Sequence, residues 1–140
     1  NYEWLNLDSI NNISIANPNI WPNITSTYPV KVTGLNNCID TAEINITVNT
    51  LPTIFAGNDQ NICFGDSTFL IASGSANFYS WNNGIADGLP FQVNQTQDYI
   101  LTGVDVNSCV NSDTVSVNIL SLPTIDAGST QTICLGDSSQ

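Results

Sequence analysis

Four cysteines, Cys38, Cys63, Cys109 and Cys134, are the side chains best suited to covalent chemistry in this chain of 140 residues. The step from Cys38 to Cys63 equals the step from Cys109 to Cys134. Zinc sites need closer ligand spacing or histidine, and the chain has no histidine. Regular spacing through a β-rich, extracellular-looking chain favours disulfides instead. The acids Asp59, Asp66, Asp87, Asp98, Asp105 and Asp113 carry the kind of oxygen ligand that calcium takes. No dense Asp-x-Asp-x-Asp run gathers them, so they read as solvated turn residues. Two carboxylates suffice for glycoside hydrolysis, but nothing in the sequence marks a cleft. Trp4 and Trp81 are expected in the core, beside Tyr2 and Tyr79. Trp21 sits in an Asn- and Pro-rich stretch and is the candidate for stacking on a sugar. Asn12-Ile13-Ser14, Asn23-Ile24-Thr25, Asn45-Ile46-Thr47 and Asn94-Gln95-Thr96 match the N-glycosylation pattern. A chain this rich in Asn and Thr produces such matches by chance.

Composition removes most other chemistry. Lys31 is the sole basic side chain, with no Arg, and the net charge is -11. Without His the usual general base and metal ligand are missing. Catalytic triads and most acid–base pairs therefore cannot be assembled, and no enzyme activity, metal or cofactor is expected. Nucleic-acid binding needs Lys and Arg against phosphate, and the negative charge opposes it and disfavours anionic membranes. The same charge keeps a long filament soluble and self-repelling. Charged residues make up 9% and hydrophobic residues 41%, so the chain is not of the charged, apolar-poor kind that stays disordered. No apolar run approaches the length of a membrane span. A signal peptide is not visible.

The elements that would position these residues read as strands. Val, Ile and Thr are frequent and helix formers scarce, with no Met and two Glu. Short strand-like runs alternate with turn residues. In the middle of the chain they fall at residues 53–56 with 60–63 (one broken strand), 67–73 with Phe69 and Ile71 on one face, 77–81, 90–94, 97–105 and 113–120. About seven short strands in roughly 70 residues is the expectation for a small two-sheet sandwich.

The runs also repeat. Leu51-Pro52-Thr53-Ile54-Phe55-Ala56-Gly57 returns as Leu122-Pro123-Thr124-Ile125-Asp126-Ala127-Gly128, so that position i matches position i+71. Ile62-Cys63-Phe64-Gly65-Asp66-Ser67 returns as Ile133-Cys134-Leu135-Gly136-Asp137-Ser138 at the same offset, which Tyr28/Tyr99 and Cys38/Cys109 share. A fixed period marks an array of modules. Residues 1–50 read as the back of one module, 51–121 as a complete one and 122–140 as the front of a third. The interval from Trp4 to Tyr28 is six positions longer than its counterpart from Trp81 to Tyr99. The difference enlarges a loop around residues 11–22 that carries Trp21, and insertions of this kind fall in loops. The joints near residues 49–51 and 121–122 contain no Gly/Ser linker, so neighbouring modules are expected to be stiffly coupled.

Cysteine partners follow two alternatives. Cys63 could bond Cys109 within one module. In an immunoglobulin-like topology those positions fall at opposite ends of the sandwich, about five or more residues apart at ~3.3 Å each, beyond the ~7 Å Cα limit of a disulfide. Pairing between modules, across a joint, is slightly favoured over Cys63–Cys109, and both stay open.

The order Pro-Thr-Ile-x-Ala-Gly-x-x-Gln-x-Ile-Cys-x-Gly-Asp-Ser, Tyr-x-Trp, Tyr-x-x-x-Gly-x-Asp-x-Asn-x-Cys and Asp-Thr-Val-x-Val resembles the immunoglobulin-like (PKD-like) repeats of giant Bacteroidota cell-surface adhesins. The resemblance covers nearly the whole chain and implies tandem immunoglobulin-like sandwiches. It further implies a bacterial cell-surface location, type IX secretion and an adhesive filament of the kind used in flavobacterial gliding motility. Members of this family carry O-glycans at Asp-Ser/Thr followed by a small or aliphatic residue. Ser9, Thr41, Ser67 and Thr114 stand in such contexts here, where Asp would otherwise simply cap turns. The longer loop of the first module departs from strict equivalence.

The expected fold is therefore all-β, with tandem immunoglobulin-like sandwich repeats of about 71 residues. Its core is expected to be built on Trp4, Trp81, Tyr28 and Tyr99. The expected role is mechanical, as an adhesin stalk segment whose partners are neighbouring repeats and surface polysaccharide or the substratum. A carbohydrate- or partner-binding module is the main alternative, and an accessory domain of a secreted enzyme a third. Exposure of Trp21 beside polar groups would favour binding, and its burial a spacer.

Overall fold

The protein was analysed as a computed structural model that describes residues 1–136 and residue 138. The fold is all-β. Apart from a 3-10 turn at Asn82–Gly84, every regular element among the described residues is a strand, and no helix there is long and apolar enough to cross a membrane. The chain forms two compact units. One contains Asn1–Thr53, Gly74–Phe78 and Gly103–Asn111; the other contains Ile54–Ser73, Tyr79–Thr102 and Ser112–Gln140.

In the first unit, β1 (Tyr2–Trp4), β2 (Ser26–Thr33) and β3 (Ile39–Ile46) form an antiparallel sheet in the order β1-β2-β3. β2 is central yet contains Pro29, which cannot donate to a ladder. In an antiparallel strand the N–H and C=O of one residue point to the same side. The Pro29 carbonyl accepts from Leu5 N at 2.9 Å, so its missing N–H points past β1, which ends at the Trp4↔Val30 pair. The bonds to β3 are untouched. Glu3 lies opposite Lys31 and forms an ion pair with it. Both side chains are largely solvated, which limits the pair to at most ~1 kcal/mol.

A tight turn joins β2 to β3. Gly34 N donates to Cys38 O at 2.8 Å and Asn37 N to Gly34 O at 3.1 Å, with Asn37 at φ 61°. The hairpin at 105–109 repeats this geometry. Asp105 N donates to Cys109 O and Ser108 N to Asp105 O, both at 3.1 Å, with Ser108 at φ 64°.

The larger core belongs to the second unit. β5 (Gln60–Cys63), β11 (Val110–Leu120), β10 (Gln97–Val104) and β8 (Phe78–Trp81) form a sheet in that order. β4 (Ile54–Phe55) pairs with β7 (Ser73–Gly74), and β6 (Ser67–Thr68) with β9 (Phe91–Gln92). Alternation decides which side chains enter the core. Tyr99 and Leu101 of β10 and Val115 and Val117 of β11 point inward and are buried, and Ile100 points out. Ala56, Leu70, Trp81 and Val93 complete the buried cluster.

β4 and β5 are one strand broken at Gly57, whose φ of 96° is costly for any residue with a Cβ. Across the break the chain leaves β7 and joins β11, where Gln60 to Cys63 pair parallel with Val117 to Leu120. Two carboxylates bridge the gap: Asp113 Oδ2 accepts from Ala56 N, and Asp59 Oδ1 from Ser116 N, both at 2.8 Å. The sequence predicts one strand over 67–73, and here the structure differs. That stretch holds the two short strands β6 and β7, which pair with different partners. Thr68 and Leu70 turn inward, leaving Phe69 and Ile71 more than half exposed. The inward set is fixed by the Thr68↔Phe91 pair and by Thr68 Oγ1, which donates to Gln60 Oε1.

Residues 122–136 repeat the β4–β5 sequence without forming strands, and all are exposed. β5 finds its partner much later in the chain, starting at Val117. The corresponding partner of Gln131 would fall beyond residue 140. Residues 137, 139 and 140, at the end of the third repeated segment, lie outside the described residues.

Candidate functional site

The long loop between β1 and β2 is the most elaborated surface feature of the first unit. Its order comes from hydrogen bonds rather than strands. Trp4 N donates to Ile13 O and Trp4 Nε1 to Ile15 O, both at 2.9 Å, which fold the loop back over β1. Asn11 N donates to Asn19 O at 3.1 Å, and Asn11 Oδ1 accepts from Asn19 N at 2.9 Å. Ile10 and Ile20 form an isolated antiparallel bridge. Trp21 N donates to Ser9 O at 2.8 Å. Asn and Ser serve well here because short polar side chains bond nearby backbone.

The loop is also tied to β2. Asn6 Nδ2 donates to Thr27 O at 3.0 Å, and the buried Tyr28 donates its hydroxyl to Asp8 O at 2.9 Å. Between loop and strand lies an open cavity of about 370 Å³ lined by Asp8, Ser9, Pro22, Asn23, Ile24, Ser26 and Tyr28. That volume is near the lower end of the range for small-ligand pockets, ~300–1,000 Å³. Trp21 adjoins the lining in sequence and is 56% exposed; Ile24 is 74% exposed. Trp21 itself is not among the residues that line this cavity.

The core aromatics are held by polar contacts too. Tyr28, Tyr99 and Trp81 are buried and Trp4 is partly buried. Trp81 Nε1 donates to Asp87 Oδ1 at 2.9 Å, and the same oxygen accepts from Ala72 N at 2.7 Å. Burial pushes the Tyr99 hydroxyl pKa upward.

The acids read as solvated turn residues do more than that. Asp87, Asp113 and Asp59 accept the bonds already described, and Asp98 accepts from Ser116 Oγ at 2.6 Å. Asp105 Oδ1 caps its hairpin by accepting from Asn107 N at 2.8 Å and Cys109 N at 2.9 Å. The spacing Asp105-x-Asn107 carried that signal, since Asp commonly bonds the N–H two residues on. Among the described residues no three His, Cys, Asp or Glu side chains gather as a metal site would require.

No two of the four cysteines are bonded to each other in this structure. Cys109 sits at the tip of the β10–β11 hairpin, half-buried, and Cys38 occupies the same place in the β2–β3 hairpin, exposed. Cys63 closes β5 opposite Leu120. Cys134 lies in the exposed repeat of that strand. Of the Asp-Ser/Thr hydroxyls, those of Thr41, Ser67 and Thr114 are on exposed residues, and Ser9 is half-buried at φ 53°. The chain matches no protein-family model, and no curated protein is significantly similar to it.

Proposed function

We propose that this chain is a stalk segment of a multi-repeat bacterial cell-surface adhesin, with a mechanical role in adhesion and gliding. The repeat reading is supported by backbone as well as sequence. Positions i and i+71 share left-handed φ values: Asn37 with Ser108, Gly57 (96°) with Gly128 (79°), and Gly65 (92°) with Gly136 (102°). The sheet order β5-β11-β10-β8, flanked by β4–β7 and β6–β9, supports an immunoglobulin-like module. The surface location and type IX export rest on the resemblance of the repeat motifs.

The observation that carries the mechanical reading is the parallel pairing of β5 with β11. These strands lie near the two ends of one module. Tension on those ends pulls them in opposite directions along their axes. The ladder bonds then carry load together, in shear, and do not open one at a time. Forced unfolding is governed by the unfolding rate, so such a ladder slows extension. Stretching the chain from its two ends in a force spectrometer tests this. The expected record is one dominant rupture that releases roughly 200 Å of chain, from about 70 residues at ~3.6 Å each less the folded span. Phe64→Pro, which removes the donor that bonds Leu120 O, lowers that rupture force. Extension at equally low force with and without Phe64→Pro would refute the reading.

The exposure of Trp21 favours a second reading, in which the β1–β2 loop binds carbohydrate. Its test is quenching of tryptophan emission by bacterial or algal polysaccharides, lost in Trp21→Ala. Binding that survives Trp21→Ala would remove this reading.

A further inference from the structure

We propose that Cys63 is one half of a covalent staple across a module joint. Its partner is the hairpin cysteine of the following repeat, the counterpart of Cys109, and not a cysteine of its own repeat. The inference rests on the repeat reading above.

The two cysteine types sit at opposite ends of β11. Cys63 pairs in register with Leu120, the last residue of that strand, and Phe64 N donates to Leu120 O at 3.0 Å. Cys109 immediately precedes Val110, the first. The ten steps between Val110 and Leu120 correspond to about 33 Å at ~3.3 Å per residue, against a Cα limit of ~7 Å for a disulfide. A Cys63–Cys109 bond is therefore incompatible with the sheet.

Each type nevertheless lies close to a joint. Leu120 almost adjoins Pro123 in sequence. Just after Cys109, Asn111 donates its side-chain amide to Pro52 O at 2.9 Å. Pro123 is the counterpart of Pro52 in the next repeat. A following hairpin that grips Pro123 as Asn111 grips Pro52 carries its cysteine to the end of the module where Cys63 lies. Every joint then receives one cysteine of each type, and the four cysteines of this chain serve four different joints.

Forming the bond removes two protons and two electrons from the two thiols. A disulfide of a thiol–disulfide oxidoreductase accepts them. The thiolate of one cysteine attacks the catalyst disulfide to give a mixed disulfide. The second cysteine displaces the catalyst, which leaves as a dithiol. The exposure of Cys63 permits the first attack.

The test extends the full chain by a second copy of residues 70–121 placed after Gln140, with Val110→Ile in the added copy alone so that its cysteine peptide differs in mass from that of Cys109. Gln140 is the counterpart of Phe69 in the repeat, so the extension completes the third repeat and supplies a second copy of Cys109. The protein is oxidised with a glutathione pair and a disulfide isomerase, alkylated and digested at acidic residues. Bonds are then mapped by mass spectrometry without reduction. The expected result is one dominant cross-link, Cys63 to the added copy of Cys109, with Cys38, Cys109 and Cys134 recovered alkylated. Cys63→Ser abolishes it. A Cys63–Cys109 link, or alkylated Cys63 in a protein whose third repeat is folded, overturns the staple alone. Hydrogen exchange separates that failure from the other. If the added β10 and β11 counterparts are unprotected, the repeat reading fails and the staple falls with it.

Discussion

The two hairpins invite a transplant. Their backbones match, but only the second is capped by a side chain: Asp105 Oδ1 accepts from Asn107 N and Cys109 N. The first has Gly34 at the corresponding position, and Gly34→Asp should install the same cap. A Cβ at Gly34 would meet only the Cys38 carbonyl oxygen at 3.7 Å, an ordinary contact, and Gly34 is not in the left-handed region. Replacing glycine at a compatible site stabilises by ~0.4–1 kcal/mol through the unfolded state. Two bonds to an exposed carboxylate add roughly 0.5–1 kcal/mol each, the low end for hydrogen bonds. Together these contributions come to about 2 kcal/mol. Asp105→Ala should cost about as much as the two bonds contribute. Urea denaturation measures both, and amide exchange at Asn36 and Cys38 localises the gain. If Gly34→Asp leaves both exchange rates and the urea midpoint unchanged, the two turns are not equivalent, and the structural argument for repetition loses its best support.

Asp87→Ala, which strips Trp81 Nε1 and Ala72 N of their shared acceptor, should destabilise the second unit by about 2 kcal/mol. Asp87→Asn, which keeps an acceptor oxygen, should recover roughly half in the same melts. The raised pKa of Tyr99 means that the unfolded state loses its phenolic proton first, so its contribution is complete below about pH 10 and is lost as pH climbs through the folded value. Alkaline absorbance titration should show a late component that Tyr99→Phe removes, and that variant should lose less stability than the parent above about pH 10. Amide exchange should be slow at Ile62 and Phe64 and fast at Ile133 and Leu135, despite the shared Ile-Cys-x-Gly sequence. Equal protection would contradict the pairing of β5 with β11.

Where side chains alternate, the fold was legible. β10 and β11 follow from Tyr99, Leu101, Val115 and Val117 at spacing two, and the break before β5 from Gly57. Between Ser67 and Ser73 the pattern misleads. Phe69 and Ile71 are the larger apolar residues, yet the inward set is Thr68 and Leu70. Partner changes from β9 to β4 decide that, and no local pattern encodes them. The β1–β2 loop could be located by its extra length and by Trp21. Its internal order could not, because many Asn side chains could bond many backbone groups, and only the assembled loop selects among them. The carboxylates were hidden for a similar reason: Asp59, Asp87 and Asp113 act on backbone N–H groups that are distant in sequence.

The repeated Pro-Thr-Ile-x-Ala-Gly-x-x-Gln-x-Ile-Cys stretch separates local from non-local causes. As residues 52–63 it holds β4 and β5 with Ala56 fully buried; as 123–134 it forms no strand, and Ile125 is 93% exposed. Local propensity is nearly the same in both places and so cannot be what makes the strand. The difference is the last strand of the module, which the chain reaches only much later. Such distant pairing must meet its loop-closure cost before any contact returns it. On the repeat reading proposed above, a module stays open at its first strand until its last has been made, and synthesis from the N-terminus completes it late. In the mechanical role proposed above, the ladder that closes the module is also the one that tension loads in shear. One set of residue pairs, Gln60 to Cys63 against Val117 to Leu120, would then govern both when a module is finished and how strongly it holds.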